Sequence, residues 1–278
     1  MHPNPKLLLA PIALATILAL PAASAPTRGY SSAPFRAGEK LRYKIKLGFI
    51  RLGTMEVTQA RAEGGQSSRY VVSITAKRAR GVPFITMNWA NRAWLDSADP
   101  SNRIFIHEEA GDPPGRLVYR SDSSATRLSI EDRDARGYRR AHLDHPSPLF
   151  DSVGMFMLIR GLCESDSELD VPTIVAQQAR NTHFRFTSET REMDVDGFPA
   201  PVRVRRFTAR SDYDCQSCGG LNGDFQGWVT DDDAAIPVRI AMKIAVGSIK
   251  ILLESVERPG AADTLQTNRA SAAQGVGR

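Results

Sequence analysis

The sequence lacks the motifs by which the common classes of enzyme are recognised. It has no Gly-x-Ser-x-Gly motif, which marks a nucleophile elbow, and no glycine-rich phosphate-binding loop before a predicted helix. Glu108 and Glu109 are adjacent, so in a strand their carboxylates point to opposite faces and cannot act together. No set of residues therefore specifies a reaction, and we predict no catalytic residue, no cofactor and no metal site.

Cysteine is also scarce, with three residues among 278. Cys215 and Cys218 form a Cys-x-x-Cys motif in a polar loop, a spacing that favours a local disulfide in an oxidising compartment. A redox site would need the first cysteine at a helix start, and glycines follow instead. A zinc site would need four ligands, and the nearest candidates, His142 and His145, lie in a predicted loop far along the chain. Cys163 is either buried alone or paired with one of the other two.

Long apolar runs are missing except at the N terminus. Lys6 precedes an apolar run from Leu7 to Leu20, and small residues follow as far as Ala25. This order is typical of an export signal, and the run is too short and too interrupted by proline to span a membrane comfortably. We expect cleavage near Ser24 or Ala25, a periplasmic mature protein without a transmembrane segment, and no lipid anchor because no cysteine lies there.

The composition divides the chain into four parts. Residues 1–25 are the predicted signal peptide, 26–34 a linker rich in Ser, Ala, Pro and Gly, 35–256 one β domain, and 257–278 a disordered tail. The net charge of +5 is a mild excess. It permits contact with anionic lipid or polysaccharide surfaces, and export argues against nucleic acid as a partner.

Alternating apolar and polar residues predict antiparallel strands along most of the chain. The clearest stretch runs from Trp228 to Leu253 and holds three strands joined by two tight turns. The acidic turn at 231–233 is interpreted as a solvated hairpin turn; a calcium site, the alternative, would need six to eight oxygen ligands from several segments. Short strands separated by Asp, Pro, Gly and Ser elsewhere indicate a meander.

One segment reads as a helix. Ser147 is placed to cap it, Pro148 suits its first position, and Gly161 ends it. Its wide apolar face should pack on the concave side of the sheet or fill a barrel. Core packing is the simpler interpretation; the alternative is a lipid cavity lined by three of its side chains, Val153, Phe156 and Met157.

A row of four cations lies on the first predicted strand of the domain. Lys40, Arg42, Lys44 and Lys46 alternate with apolar residues, so they share one outer face. The simpler interpretation is an edge strand that its cations protect from aggregation. The functional alternative is a docking face for an anionic partner.

Short motifs spread along the chain resemble the DUF3108 family of exported proteins from bacterial envelopes, over roughly residues 35–256. The residues that carry the resemblance are Phe35, 38–43, Gly48, Gly53, 150–153, Arg160, Trp228, Asp231, Pro237, Val238, Lys243 and Gly247. The resemblance implies a mainly antiparallel β fold with a closed or strongly curved sheet, located in the cell envelope. It implies no catalytic residue, and the loop from Cys215 to Gly220 does not match the family pattern.

We therefore expect an exported, mainly β protein, a curved or barrel-like sheet with one apolar helix packed on or inside it. It should act by binding a lipid or glycan of the envelope in the concavity of the sheet. The first alternative is a structural or assembly protein that docks a partner through the basic edge strand. The second is an envelope hydrolase with dispersed carboxylates.

Overall fold

The fold is a single antiparallel sheet of fourteen strands that curves around one helix. The computed structural model describes residues 30–63, 68–82, 87–101, 104–110, 114–121, 127–134, 137–145, 149–162, 166–175, 177–212, 223–244 and 247–259. Within them, no helix is long and apolar enough to cross a membrane. The predicted fold class, mainly β with one apolar helix, is confirmed.

The strands lie mostly where alternation of apolar residues places them. They are β1 (Lys40–Leu47), β2 (Ile50–Arg61), β3 (Arg69–Arg78), β4 (Asn88–Asp96), β5 (Ile104–Glu109), β6 (Gly115–Ser121), β7 (Arg127–Asp134), β8 (Gly137–Asp144), β9 (Ser167–Val175), β10 (Gln178–Met193), β11 (Val202–Ser211), β12 (Asp224–Thr230), β13 (Pro237–Lys243) and β14 (Ser248–Glu257). The predicted three-strand stretch is β12 to β14. His142, predicted in a loop, lies instead in β8.

The strand order places the two ends of the domain side by side. The order across the sheet is β8-β7-β6-β5-β4-β3-β2-β1-β14-β13-β12-β11-β10-β9, so β1 to β8 form one arm and β9 to β14 the other. β1 pairs with both β2 and β14. The prediction that β1 is an edge strand is therefore wrong, because side-chain alternation reports the two faces of a strand and not its neighbours.

The helix α1 (Ser152–Leu162) begins later than predicted. Asp151 is its cap: one carboxylate oxygen accepts hydrogen bonds from the backbone N–H groups of Val153 (2.6 Å) and Gly154 (2.8 Å). Phe150 cannot be helical because it forms a parallel bridge with Thr173 of β9. The predicted cap, Ser147, lies outside the described residues.

The sheet wraps around α1, and nine of its eleven residues are buried. One side of the helix packs against the arm that contains β1, and the other side packs against β9 to β13. A helix that is apolar on all sides belongs in a core. The concavity of the sheet is thus occupied by the helix and by the side chains packed against it.

A buried ion pair fixes the C-terminal end of α1. The guanidinium of Arg160 contacts both carboxylate oxygens of Glu39 at 2.7 and 3.3 Å and donates to the backbone carbonyl of Ala234. Gln59 and Arg258 also donate to the Glu39 carboxylate, at 2.7 and 3.3 Å. The end of α1, the start of β1 and the β12–β13 turn therefore meet at one polar cluster inside the core.

The folded part extends beyond the predicted domain bounds at both ends. The backbone N–H of Ser31, in the predicted linker, donates to the carbonyl of Gly161 at 2.8 Å, and Tyr30 packs on that glycine. At the other end, Glu257 belongs to β14, and Arg258 bonds to Glu39. These bonds tie both ends of the described chain to the core.

Candidate binding surface on the outer face of the sheet

The four predicted cations of β1 lie on the outer face of the sheet, and most of them have acidic partners. Lys40 and Arg42 contact Glu56 at 3.2 and 3.0 Å, and Lys44 pairs with Asp196. Each pair is partly exposed, so each neutralises its cation without contributing much to stability. The row as a whole is therefore mostly neutralised.

Lys46, at the end of β1, is different. Among the described residues it has no acidic group within ion-pair distance, and its two cross-strand partners are the cations Arg51 and Lys250. Lys250 likewise has no acidic partner in the part of the chain that the structure describes. Unpaired positive charge is therefore concentrated at this end of the β1–β14 pair. This arrangement is unfavourable, because like charges directly opposite each other destabilise a sheet.

This positive charge continues across the other arm. Arg185, Thr208, Gln226, Ala241, Lys250 and Lys46 follow one another as cross-strand partners from β10 to β1, so they share the outer face. Most of this row lines an open groove of about 740 Å³ on the outer face of the arm. We call it the basic groove.

Five cations and two carboxylates line the basic groove. The cations are Arg185, Arg210, Arg239, Lys243 and Lys250, and the carboxylates are Glu168 and Asp224. Arg185 lies 3.1 Å from Glu168, and Arg210 and Lys243 lie 3.7 and 4.0 Å from Asp224. Arg239, like Lys250, has no carboxylate partner among the described residues. The groove also offers neutral hydrogen-bonding groups, among them Thr208, Gln226 and Ser248.

A second groove, of about 750 Å³, lies on the arm of β1 to β8 and is electrically balanced. Three cations and three carboxylates line it: Lys77, Arg116, Arg133, Glu108, Glu109 and Asp134. Arg116 and Glu108 form an ion pair at 3.4 Å. Positive charge is therefore a property of the basic groove and not of grooves on this sheet in general.

The predicted cavity-lining residues are in the packed core. Val153, Phe156 and Met157 are 0%, 5% and 0% exposed, and none of them lines either groove. Their partners are core residues of the surrounding strands, for example Tyr43, whose ring meets that of Phe156 edge-on at 6.5 Å. The structure supports the core interpretation of this helix face instead of the lipid cavity.

The acidic turn after β12 serves the fold. Asp231 contacts Arg203 at 3.0 Å and Arg205 at 2.9 Å, and one carboxylate oxygen of Asp232 accepts the backbone N–H of Ala235 at 3.1 Å. Both carboxylate oxygens of Asp231 and one of Asp232 are thus engaged by the protein itself. In the described part of the chain no group of three or more His, Cys, Asp or Glu side chains could hold a metal ion.

Comparison with known proteins identifies the family. A family model described as a protein of unknown function, DUF3108, matches residues 42–254. The chain belongs to the DUF3108 family. The match covers β1 to most of β14, so the basic groove lies within the DUF3108 region. A comparison with curated proteins finds no match.

One of the solved structures similar to this DUF3108 protein supports its fold. A beta-barrel-like protein of the domain of unknown function DUF1849 from Brucella abortus matches with a TM-score of 0.53 and 9% identity, over 80% of this chain and 97% of that chain. An inferred exported protein with a YmcC-like fold from Bacteroides fragilis matches with a TM-score of 0.31 and 8% identity, over 82% and 99%. An inferred lipoprotein from Parabacteroides distasonis matches with a TM-score of 0.30 and 11% identity, over 82% and 99%. Only the first structure, whose TM-score is above 0.5, bears on the fold. At identities this low, none of the three bears on function.

A polar chain inside the DUF3108 fold was not predicted from the sequence. The side-chain amide of Asn91 donates to the Ser152 hydroxyl at 2.9 Å, and its oxygen lies 2.6 Å from Nδ1 of His107. Burial lowers the pKa of His107, although Glu109 and Glu108 act in the opposite direction. Pairing of β4 with β5 creates the contact between Asn91 and His107, and no local sequence motif predicts it.

Cys163, Cys215 and Cys218 lie outside the described residues, so the disulfide stays a prediction.

Proposed function

We propose that this DUF3108 protein is a non-catalytic binding protein of the bacterial envelope that holds an anionic glycan in the basic groove. The observation that carries the proposal is the unpaired positive charge of Lys250 and Arg239 in the groove, with Lys46 beside Lys250. These cations are half-buried, which makes the lack of a counter-charge more costly than at a fully exposed position.

The position of the cations favours a ligand over a structural role. Lys46 and Lys250 are direct cross-strand partners, an arrangement that weakens the β1–β14 pair. An unfavourable arrangement that the rest of the fold does not compensate, such as two lysines directly opposite each other, is expected chiefly at functional sites. An anion bound between these side chains would supply the missing counter-charge.

The lining of the groove fits a charged sugar better than an acyl chain. Hydroxyl and amide groups such as those of Thr208, Gln226 and Ser248 pair with sugar hydroxyls, and the cations pair with carboxylate or phosphate groups. A lipid tail would need an enclosed apolar pocket, whereas Phe156 and Met157, the residues expected to line one, are packed in the core. A glycan is therefore the favoured envelope component.

The export features of the sequence support an envelope location. Lys6, the apolar run from Leu7 to Leu20 and the small residues up to Ala25 match a signal peptide. We propose a periplasmic mature protein cleaved near Ser24 or Ala25. An intact mass of envelope-derived protein that still includes residues 1–24 would contradict the proposed cleavage.

The test compares a charged with an uncharged polysaccharide by isothermal titration calorimetry. The probes are oligomers of polygalacturonic acid and, as the neutral control, dextran. The variant Arg239→Ser/Lys250→Ser removes two unpaired cations from the groove. Its matched control, Lys40→Ser/Lys44→Ser, removes two cations from the same outer face where they already have acidic partners.

We expect the wild-type protein to bind the polyanion, increasingly weakly as salt rises, and not to bind dextran. The groove variant should bind about tenfold more weakly or worse, because charge-assisted hydrogen bonds contribute ~1.5–3 kcal/mol each. The control variant should retain wild-type affinity. Equal binding of dextran, or wild-type affinity in the groove variant, would refute the proposal.

A further inference from the structure

The turn between β1 and β2 carries the most exposed large apolar side chain of the described structure. Phe49 is 91% exposed and the adjacent Ile50 is 47% exposed. Tyr138, in β8, is the one other exposed large apolar residue among the described residues. A single exposed apolar residue is ordinary, but two neighbours at the tip of one hairpin form a small apolar prominence.

The fold does not require a phenyl group at this position. Leu47 and Ile50 are the last cross-strand partners, so Gly48 and Phe49 form a two-residue turn. Gly48 adopts φ +58, which fits the first central position of a tight hairpin turn. Phe49 needs only ordinary backbone angles, and its exposure means that it packs against almost nothing. Asn, Asp or Ser would complete the turn equally well.

Cations lie directly behind the apolar tip. Lys46 and Arg51 are cross-strand partners one position before and one position after the Leu47–Ile50 pair, and Lys250 lies next to Lys46. Glu254 pairs with Arg51 at 2.8 Å and is the carboxylate that contacts this group. The neighbouring β13–β14 turn lies alongside, since Gly247 approaches Leu47, and it adds Lys243, which is 70% exposed.

We propose that the β1–β2 turn docks the protein on an anionic lipid bilayer. Phe49 and Ile50 enter the headgroup layer, and Lys46 and Lys250, which have no acidic partner among the described residues, pair with lipid phosphates above them. An apolar prominence with a cationic base matches the bilayer surface, which is apolar below and negatively charged above. Lysine is suited to this level because its stem can lie along apolar groups while its ammonium reaches the phosphates.

This inference goes beyond glycan binding and does not depend on it. The glycan proposal rests on the side chains that line the basic groove, and neither Phe49 nor Ile50 is among them. The two proposals share the cations Lys46 and Lys250, but the apolar tip belongs to the membrane inference alone, so the Phe49→Ser/Ile50→Ser variant tests that inference separately. Substitutions of Phe49 and Ile50 should weaken membrane binding and leave the basic groove intact.

The test is sedimentation of the purified mature chain with vesicles. One set contains phosphatidylethanolamine and phosphatidylglycerol, and the neutral set contains phosphatidylcholine. The variant Phe49→Ser/Ile50→Ser removes the apolar tip. The control variant Tyr138→Ser removes the other exposed large apolar side chain, which lies in the strand at the far edge of the sheet. Binding of the polygalacturonate probe by each variant is measured in parallel.

We expect the wild-type protein and Tyr138→Ser to sediment with the anionic vesicles and not with the neutral ones. The turn variant should bind the anionic vesicles at least about tenfold more weakly, while its urea-unfolding midpoint stays that of the wild-type protein, which shows that it is folded. Failure of the wild-type protein to sediment would overturn the inference, as would full binding by the turn variant. If the wild-type protein instead forms dimers that the turn variant does not form, the prominence is a self-association site and the membrane inference is wrong.

Discussion

At the scale of single residues, Asp151 is the least ordinary group in the core. It is 1% exposed, and its second carboxylate oxygen has no hydrogen-bond partner among the described residues. Burial raises its pKa from the ordinary 3.8 to about 7, against the opposing effect of the backbone N–H groups of Gly154 and Val153. The cap of α1 is therefore obtained at an electrostatic cost.

We predict that Asp151→Asn removes a pH-dependent loss of stability. A raised pKa means that the folded protein binds this proton more tightly than the unfolded chain, so the free energy of unfolding falls as pH rises from about 4 to about 7. The decrease from this group is on the order of 4 kcal/mol. Asparagine keeps the oxygen that caps Val153 and Gly154 but carries no charge.

Urea unfolding at about pH 4 and about pH 8 measures this difference. Asp151→Asn should match the wild-type protein at the lower pH and be more stable at the higher one. Asp144→Asn is the control, since Asp144 is 81% exposed and pairs only loosely with Arg127, at 3.6 Å. If Asp151→Asn shows the same pH slope as the wild-type protein, Asp151 is not buried as a neutral acid.

Single residues also show where prediction from sequence stops. The outward position of Lys46 follows from alternation, and its sequence neighbours give no reason to separate it from Lys44. The difference arises because Lys44 meets Asp196 from a turn far along the chain, whereas Lys46 meets Lys250. Such partners depend on which strands become neighbours, and that information is not local.

At the scale of elements, α1 is held in the sheet by the ion pair between Arg160 and Glu39. The sequence suggests only that Arg160 complements the negative end of the helix dipole. Both side chains are in fact buried, at 1% exposure each. A buried pair is costly to break because the remaining partner keeps an uncompensated charge.

We predict that Arg160→Met lowers the free energy of unfolding by about 3–5 kcal/mol, measured by urea denaturation. Methionine preserves most of the side-chain length, so the loss reports on charge and hydrogen bonds and less on packing. The double variant Glu39→Met/Arg160→Met should lose less than the sum of the two single variants, because neither Glu39 nor Arg160 then stays buried without the other.

The matched control is Arg42→Met, which breaks partly exposed pairs with Glu56 and Glu257. Its effect should be much smaller than that of Arg160→Met, because solvent screens exposed pairs. Strictly additive losses in the Glu39 and Arg160 variants would mean that the two residues stabilise the fold independently.

The elements themselves were mostly predictable, and their ends and neighbours were not. Alternation places the strands of the β12–β14 stretch correctly because each has one buried face. The start of α1 was predicted at Pro148 from local signals, whereas the bridge between Phe150 and Thr173 delays it to Ser152. Asp151 suits a cap position as well as Ser147 does, and only the pairing with β9 decides between them.

At the scale of the whole molecule, the sheet is open but its two ends come together. The side-chain amide of Gln177, at the β9–β10 turn, donates to Asp132 of β7 at 3.0 Å. The two edge strands nevertheless differ. β8 is exposed along almost its whole length, whereas the edge of β9 that faces away from β10 carries the bridge to Phe150. The centre of the sheet, by contrast, is buried on its inner face at Leu41 and Tyr43.

We predict a gradient of amide hydrogen exchange across the sheet. Amides of β1 and β14 should exchange slowest, because both strands lie near the middle of the sheet, far from its two edges, and those of β8 should exchange fastest among the strands. Mass spectrometry of peptic fragments after deuterium labelling measures the gradient. The comparison between β8 and β9 is the internal control, since both are terminal in the sheet. Protection of β8 equal to that of β1 would mean that another chain covers its free edge.

The pairing of β1 with β14 has a consequence for the order in which the molecule can assemble. Glu39, just before β1, and Arg258, just after β14, are bonded across 219 positions. A nascent chain that has completed β1 through β8 still presents the free edge of β1, because β14, which covers that edge, is synthesised after the other strands of the sheet. Chaperone engagement should therefore persist until the final strand emerges, and closure of so long a loop should make folding slow.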